Sequence, residues 1–126
     1  FVVEERATGE FLGRIGPLAP LGWPGFEIAW GLRAAARGKG FAQEAARAAI
    51  DWSFETFALD RIVSIIHPLN LASQRVAERV GERRTAERFT PFREPCEIWK
   101  CVARRGSKGR IGETIARPRR PRRPRL

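Results

Sequence analysis

The hexapeptide Arg37-Gly38-Lys39-Gly40-Phe41-Ala42 separates an apolar run, Phe26 to Leu32, from a helical run, Ala42 to Phe57. A strand therefore gives way to a helix through two glycines and two cations. The first turn of a helix presents backbone N–H groups without intrahelical partners, together with a partial positive charge. Glycine, lacking a Cβ, lets such a backbone approach an anion closely. The stretch reads as a pyrophosphate cradle at a helix start, with Arg37 and Lys39 adding charge. The same features also suit an ordinary basic turn of an α/β protein. Two other phosphate motifs are excluded. No Ser or Thr follows Lys39 as in a P-loop, and the third glycine of G-x-G-x-x-G is absent.

The rest of the chain places this loop in an α/β fold. Phe1 to Arg6 and Phe11 to Ile15 read as strands joined by the turn Ala7-Thr8-Gly9-Glu10, a hairpin. Gly16-Pro17 and Pro20 to Gly25 are rich in breakers and read as loop. Phe26 to Leu32 carries apolar residues on both faces, as a central, covered strand does. In the helix from Phe41 to Phe57, the spacing predicts an inner face of Phe41, Ala45, Ala48, Ala49 and Trp52, opposite Glu44, Arg47, Asp51 and Glu55. Arg61 to Ile66 is a short, β-branched, buried strand. Asn70 suits a helix N-cap and Gly81 a helix stop, which frames a helix from Leu71 to Val80 with Ala72, Val76, Ala77 and Val80 inward. Arg84 to Phe89 and Cys96 to Ala103 supply the last strands. The order β-β-β-α-β-α-β-β predicts a mixed, mostly antiparallel sheet with helices packed on it.

Composition divides the chain in two. Its 126 residues amount to one domain, and 43% hydrophobic content is enough for a packed core. The net charge is +10. Residues 104–126 hold ten basic residues and one acid, Glu113, or +9, while residues 1–103 hold fourteen basic and thirteen acidic, or +1. The high charge therefore belongs to an Arg/Pro-rich tail, which cannot bury a core and is expected to be disordered or polyproline-like. Such a tail suits electrostatic contact with RNA, and equally a cloning scar or out-of-frame sequence. The sequence has no Met and opens on Phe1-Val2-Val3, which reads as a fragment or processed start.

Cys96 and Cys101 fall in one strand, ~17 Å apart at ~3.4 Å per residue, so a disulfide between them is excluded. Two cysteines and one histidine argue against a structural zinc site, and no metal is expected. A reduced, cytoplasmic protein is the default expectation. No apolar run reaches the ~20 residues that a membrane span needs.

Arg37-x-x-Gly40-x-Ala42 resembles the Q/R-x-x-G-x-G/A signature of the GNAT acyltransferases, in which this loop holds the pyrophosphate of acetyl-coenzyme A. Two more stretches agree. Glu27-Ile28-Ala29-Trp30-Gly31-Leu32 looks like the family's fourth strand. Asn70 to Gly81 fits its N-x-x-S-x-x-V-x-E-x-x-G helix, typical of the branch that acetylates protein N-termini, ribosomal-protein alanine acetyltransferases included, and related small amines. The resemblance covers about Phe1 to Val102. It implies a GNAT domain over residues 1–103, splayed where coenzyme A inserts and truncated at the N-terminus, since family members usually begin with a further strand and one or two helices. It also implies an N-acetyltransferase that passes an acetyl group from acetyl-CoA directly to a primary amine, and a family in which homodimers are common.

The resemblance assigns roles residue by residue. Leu32 and its neighbours correspond to the strand end whose backbone pairs with the pantetheine arm. Gly38 to Ala42 would hold the coenzyme chiefly through backbone N–H groups, with Arg37 at the loop's start. Asn70 would contact the coenzyme arm. Glu27 is the candidate base for the amine; as a bare residue it is equally an ordinary strand-edge carboxylate. Many relatives use a tyrosine to meet the leaving thiolate, but this chain has none, and Ser73 matches the serine that takes the role in the N-terminal acetyltransferase branch. From spacing alone, Asn70 is an N-cap and Ser73 supports it. His67, the lone histidine, reads as a loop residue that packs or caps, with a general base as the sharper alternative. Trp23, Trp30, Trp52 and Trp99 form no regular stripe and read as core or loop anchors. The rival class is a non-catalytic GNAT module that retains coenzyme A or contacts RNA through its tail.

Overall fold

The computed structural model describes residues 1–103. The tail expected to be disordered and to suit RNA, 104–126, lies outside the described residues. Along the chain run β1 (Val2–Glu4), β2 (Phe11–Leu18), β3 (Glu27–Leu32), a 3-10 turn (Ala34–Ala36), α1 (Phe41–Thr56), β4 (Arg61–Ile66), α2 (Leu71–Val80), β5 (Arg83–Phe89) and β6 (Cys96–Val102). The six strands form one mixed sheet in the order β1-β2-β3-β4-β6-β5. Every pairing is antiparallel except β3 with β4. That parallel pair is joined through α1, as a crossover between parallel strands demands.

The β3–β4 pairing is the unusual one. β2 matches β3 over six residue pairs and β4 matches β6 over another six, whereas β3 and β4 are matched only at Glu27 against Val63. The Val63 N–H donates to the Phe26 carbonyl at 2.9 Å. One pair further, Ser64 Oγ lies 2.8 Å from the Ile28 carbonyl oxygen. Beyond that the strands part.

The helices are set by their ends. Asn70 Oδ1 accepts the Ser73 N–H at 3.1 Å, so α2 begins where an N-cap places it. Gly81 ends α2 at φ +93°, the left-handed geometry that glycine tolerates. The Glu82 N–H then closes back on the Ala77 carbonyl at 2.9 Å. The main core joins Ile15, Ile28, Ala46, Ala49, Ile50, Ile62 and Val80; a second cluster joins Ile66, Ala77 and Trp99.

Three expectations are corrected. Gly16-Pro17 is strand, not loop, because β2 runs on to Leu18. The Ile15 N–H bonds to the Phe1 carbonyl, and side-to-side alternation turns Pro17 the same way, where β2 has no further partner among the described residues. A missing N–H costs nothing there. The inner face of α1 is Ala46, Ala49, Ile50 and Ser53, while Ala48 is exposed and Trp52 is 40% exposed. Alanine carries little hydrophobic signal, and burying the one isoleucine turns the helix by about a residue. Ala72 is exposed, so α2 is anchored by Ala77 and Val80. Cys96 and Cys101 are both free thiols.

Gly13 is the tightest point between β2 and β3. A Cβ there would sit 2.2 Å from the Gly31 carbonyl oxygen and 2.8 Å from Leu32 Cα. Both are backbone atoms and cannot move aside as a side chain would. Gly13→Ala is therefore expected to lower the unfolding free energy by about 2 kcal/mol or more, at the upper part of the range for overpacked sites. Urea denaturation would read this as a lower midpoint at unchanged slope.

Candidate functional site

The parting of β3 from β4 opens a groove of about 430 Å³ between the end of β3, the loop before α1, and α2. Backbone alternation decides which way β3 presents its polar groups. The Arg33 N–H bonds to the Leu12 carbonyl at 2.8 Å, so Arg33 and Gly31 face β2. Trp30 and Leu32 therefore turn their N–H and C=O groups toward the gap, where β4 no longer pairs with them. The Leu32 carbonyl takes a 3.4 Å hydrogen bond from Arg37 Nε.

The loop meets the groove with its backbone. Gly38 and Gly40 both adopt positive φ, +75° and +84°, and nothing among the described residues lies within 4 Å of where a Cβ would stand on either. The first helical hydrogen bond of α1 runs from Glu44 N–H to the Gly40 carbonyl, 3.0 Å. The N–H groups of Phe41, Ala42 and Gln43 precede it, and no side chain among the described residues caps this helix. Unpaired donors, open space above two glycines and the positive end of a sixteen-residue helix make a site for an anion. Arg37 lines the same groove, joined by Arg75 and Arg79 from α2.

A smaller chamber of about 120 Å³ adjoins this groove and shares Trp30, Asn70 and Ser73 with it. Glu27 opens onto the chamber, although only 6% of it is exposed. The Trp23 indole N–H and the Ile65 N–H (3.3 Å) both donate to its carboxylate. Burial pushes the Glu27 carboxyl above the usual range, and those two hydrogen bonds partly offset the shift. Ser73 Oγ accepts the Trp30 indole N–H at 3.2 Å, which leaves its own proton available.

Of the residues singled out in the sequence, Leu32, Arg37, Gly38, Gly40, Phe41, Ala42, Asn70 and Ser73 all line the groove. Glu27 stands in the adjoining chamber with Asn70 and Ser73. Asn70 is an N-cap, and it also borders both cavities. Lys39 is placed apart, in a separate cavity with Glu5, Glu10 and Arg33. His67 borders the chamber. Its Nδ1 accepts the Leu69 N–H at 3.1 Å, so Nε2 carries the proton and donates to Glu94 at 2.7 Å.

Sequence reasoning missed the wall supplied by α2. Ala72, Arg75, Val76 and Arg79 all face the groove. Their spacing of i, i+3, i+4 and i+7 is a readable stripe, but its mixture of arginine and apolar residues is not that of a core face. It also missed Trp30 and Trp23, whose indoles orient Ser73 and Glu27 from distant or loop positions. Among the described residues, no group of three or more His, Cys, Asp or Glu side chains could hold a metal. No helix among them is long and apolar enough to cross a membrane.

The fold has counterparts among known proteins. YkkB of Bacillus subtilis (strain 168) is 39% identical over 83 residues, which make up 64% of this chain and 48% of that protein. An acetyltransferase of Agrobacterium tumefaciens str. C58 superposes with a TM-score of 0.68 at 35% identity, over 76% of this chain and 56% of the other. The ribosomal-protein-S5-alanine acetyltransferase of Vibrio fischeri superposes at 0.66 over 79% of this chain and 58% of its own; at 18% identity it speaks for the fold alone. The chain thus spans about half the length of the relatives it matches. The model of the acetyltransferase (GNAT) domain matches residues 1–83, which contain β3, the glycine loop and the Asn70–Ser73 turn, and the chain belongs to that family.

Proposed function

We propose that the groove binds acetyl-CoA and that the adjoining chamber is where its acetyl group passes to a primary amine. The observation that carries this reading is the shared wall. Glu27 and Ser73, on β3 and α2, open onto one small chamber that continues into the groove of the glycine loop. The coenzyme would bring an activated thioester, and its fit is supported by the unpaired N–H groups of Phe41 to Gln43 and the open space over Gly38 and Gly40. Arg37, Arg75 and Arg79 add charge for phosphates.

The chain's own groups then divide the work of amine acylation. Glu27, buried and held by Trp23 and Ile65, takes the proton that an ammonium must lose before it can attack. The β3 edge at Trp30 and Leu32 offers backbone N–H groups where charge develops on a carbonyl oxygen. Ser73, already accepting from the Trp30 indole, has a proton to offer a departing thiolate and recovers one from the nitrogen as it becomes the amide. No covalent acyl-enzyme is needed, since both reactants can meet in one continuous space. The acceptor is a protein N-terminus or a small amine. The likeness of Asn70 to Gly81 to the N-x-x-S-x-x-V-x-E-x-x-G helix of the N-terminal acetyltransferase branch supports the first.

Calorimetric titration with acetyl-CoA tests the cradle. Gly40→Glu puts a carboxylate among the phosphate donors and should weaken binding by about a hundredfold or more. Gly40→Ala adds only the cost of a Cβ in left-handed geometry, about 1–2 kcal/mol. Equal binding by wild type and Gly40→Glu would remove the cradle from the groove.

The chemical roles are tested by transfer to amine acceptors. Ser73→Ala and Glu27→Gln should each lower kcat by about a hundredfold, the low end for general acid or base removal. Glu27 acts as a base, so the wild-type rate should rise with pH as it loses its proton. Because burial raises its pKa, that limb should lie above the ordinary carboxylate range. Glu27→Gln should flatten it. A limb that survives in Glu27→Gln would assign the base elsewhere.

A further inference from the structure

Ser64 is asked to do more than its one proton allows. Its hydroxyl, 2% exposed in the middle of β4, lies 2.8 Å from the Ile28 carbonyl oxygen on β3 and 2.9 Å from Oε1 of Glu82. If Glu82 is ionised, both neighbours are pure acceptors, and a single hydroxyl proton can satisfy only one of them. If Glu82 carries a proton, it donates to Ser64 and Ser64 donates to Ile28, so both contacts are made. The surroundings favour the second arrangement. Glu82 is 3% exposed, and its Oε2 has no hydrogen-bond partner among the described residues. A buried carboxylate with half its charge unpartnered is far more costly than a buried acid with a bare carbonyl oxygen.

The neighbouring charged groups do not rescue the anion. Glu27 on β3 repels it, and the Cys101 thiol on β6 feels its charge in turn. Glu78 of α2 and Arg83 and Arg84 of β5 border the same surface hollow as Glu82. Arg84 instead pairs with Glu97 at 3.3 Å. From α1, Arg47 and Asp51 stand near Gly81 and Cys101, and the Arg47 guanidinium donates to the Arg79 carbonyl. None of these groups forms an ion pair with Glu82 among the described residues.

We propose that Glu82 is a positioning residue that works as a protonated acid: it donates to Ser64, Ser64 donates to Ile28, and this relay clamps β4 to β3 at the point where the strands part. Along β3 the clamp is the last bond before the gap, while on β4 the next N–H, that of Ile65, goes back to the Glu27 carboxylate. It fixes the direction of the Ile28 peptide, two residues before the Trp30 backbone that faces the groove. Ionising Glu82 draws the Ser64 proton away from Ile28 and releases the clamp. Burial pushes the Glu82 carboxyl up to about 7, so the release falls near neutral pH. The groove is then at its best ordered on the acid side of neutrality and loosens on the alkaline side. The part of this inference that concerns coenzyme binding rests on the function proposed above; the clamp itself does not.

Two readouts on wild type, Glu82→Gln and Ser64→Ala separate the clamp from a buried acid with no further role. The first is stability against pH. Glu82 holds its proton more tightly folded than unfolded, so stability is full below about pH 4.5, falls as pH rises, and levels off above about pH 7. The fall should reduce the folding equilibrium constant by about 300-fold, from the difference between 4.5 and about 7. Glutamine keeps a donor without the charge, so Glu82→Gln should lack this component. The difference between the two proteins isolates Glu82 from Glu27, which titrates in the same direction. Ser64→Ala keeps the buried acid and should keep the fall.

The second readout is acetyl-CoA affinity at pH 6 and pH 8.5. Wild type should weaken by up to about 30-fold, the loss of the protonated fraction at a pKa of about 7. Glu82→Gln and Ser64→Ala, each lacking the titrating relay, should show no such weakening. Parallel stability profiles for wild type and Glu82→Gln would overturn the protonated acid. A wild-type pH ratio retained in Ser64→Ala would overturn the relay. Absence of acetyl-CoA binding by every variant at both pH values would instead remove the coenzyme reading, and the clamp would then stand or fall on the stability profiles.

Discussion

A single matched residue pair holds β3 to β4, Glu27 against Val63, and the function of the fold depends on how little more there is. Had the two strands zipped together, the N–H and C=O groups of Trp30 and Leu32 would have been used up in the sheet. Instead they face the gap, where Arg37 Nε reaches the Leu32 carbonyl and the others are left to water or a ligand. The sheet survives the break because each strand is fully paired on its other side, β3 with β2 and β4 with β6. The helices bridge the gap from above. α1 brings Ala46, Ala49 and Ile50 onto Ile28 and Ile62, one residue from each side of the parting.

Two helices begin near the gap, and they are treated differently. α2 starts with Asn70, whose side chain satisfies the Ser73 N–H. α1 starts with Gly40, which has no side chain to give. Capping a helix start spends the donors that an anion would otherwise take. The contrast makes α1 the helix start whose donors suit an anion and leaves α2 to contribute side chains, Arg75 and Arg79 on one face of the groove and Ser73 at the chamber. The acids are kept behind this cationic rim: Glu27 faces the chamber and Glu82 lies beneath Ser64, both buried. A chain whose first 103 residues are almost neutral overall thus separates its charges by depth.

How far the sequence reveals this follows from the range of each signal. α2 and β4 run between the residues expected of them, Leu71 to Val80 and Arg61 to Ile66, because Asn70, Gly81 and the β-branched run of β4 are local signals. The glycine loop is legible for the same reason. Pro17 is not, since its tolerance in a strand depends on which neighbour is missing across the sheet. The inner face of α1 is not, since half of its buried residues are alanines and a single Ile50 decides the rotation. The tryptophans show the limit most plainly. Trp30 reaches Ser73 across 43 positions of sequence, and no pattern in either segment announces it. The Ser64–Glu82 contact is hidden likewise, because Glu82 follows the helix stop and looks like a surface charge until the strand beside it is placed.

The family match ends at residue 83, but the physical unit around the site does not. β4 is matched along its whole length by β6, from Arg61 against Val102 to Ile66 against Glu97. Trp99 packs with Ile66 and Ala77 and so supports the underside of α2, and Trp30 packs against the same cluster. Without β6, β4 would be an edge strand with β3 already parting on its other side, and Ser64 would face solvent across the position of Trp99. A buried Glu82 and a hydroxyl relay need that side closed. The residues that give the groove its shape lie before position 83, and the residues that keep its floor dry lie after it.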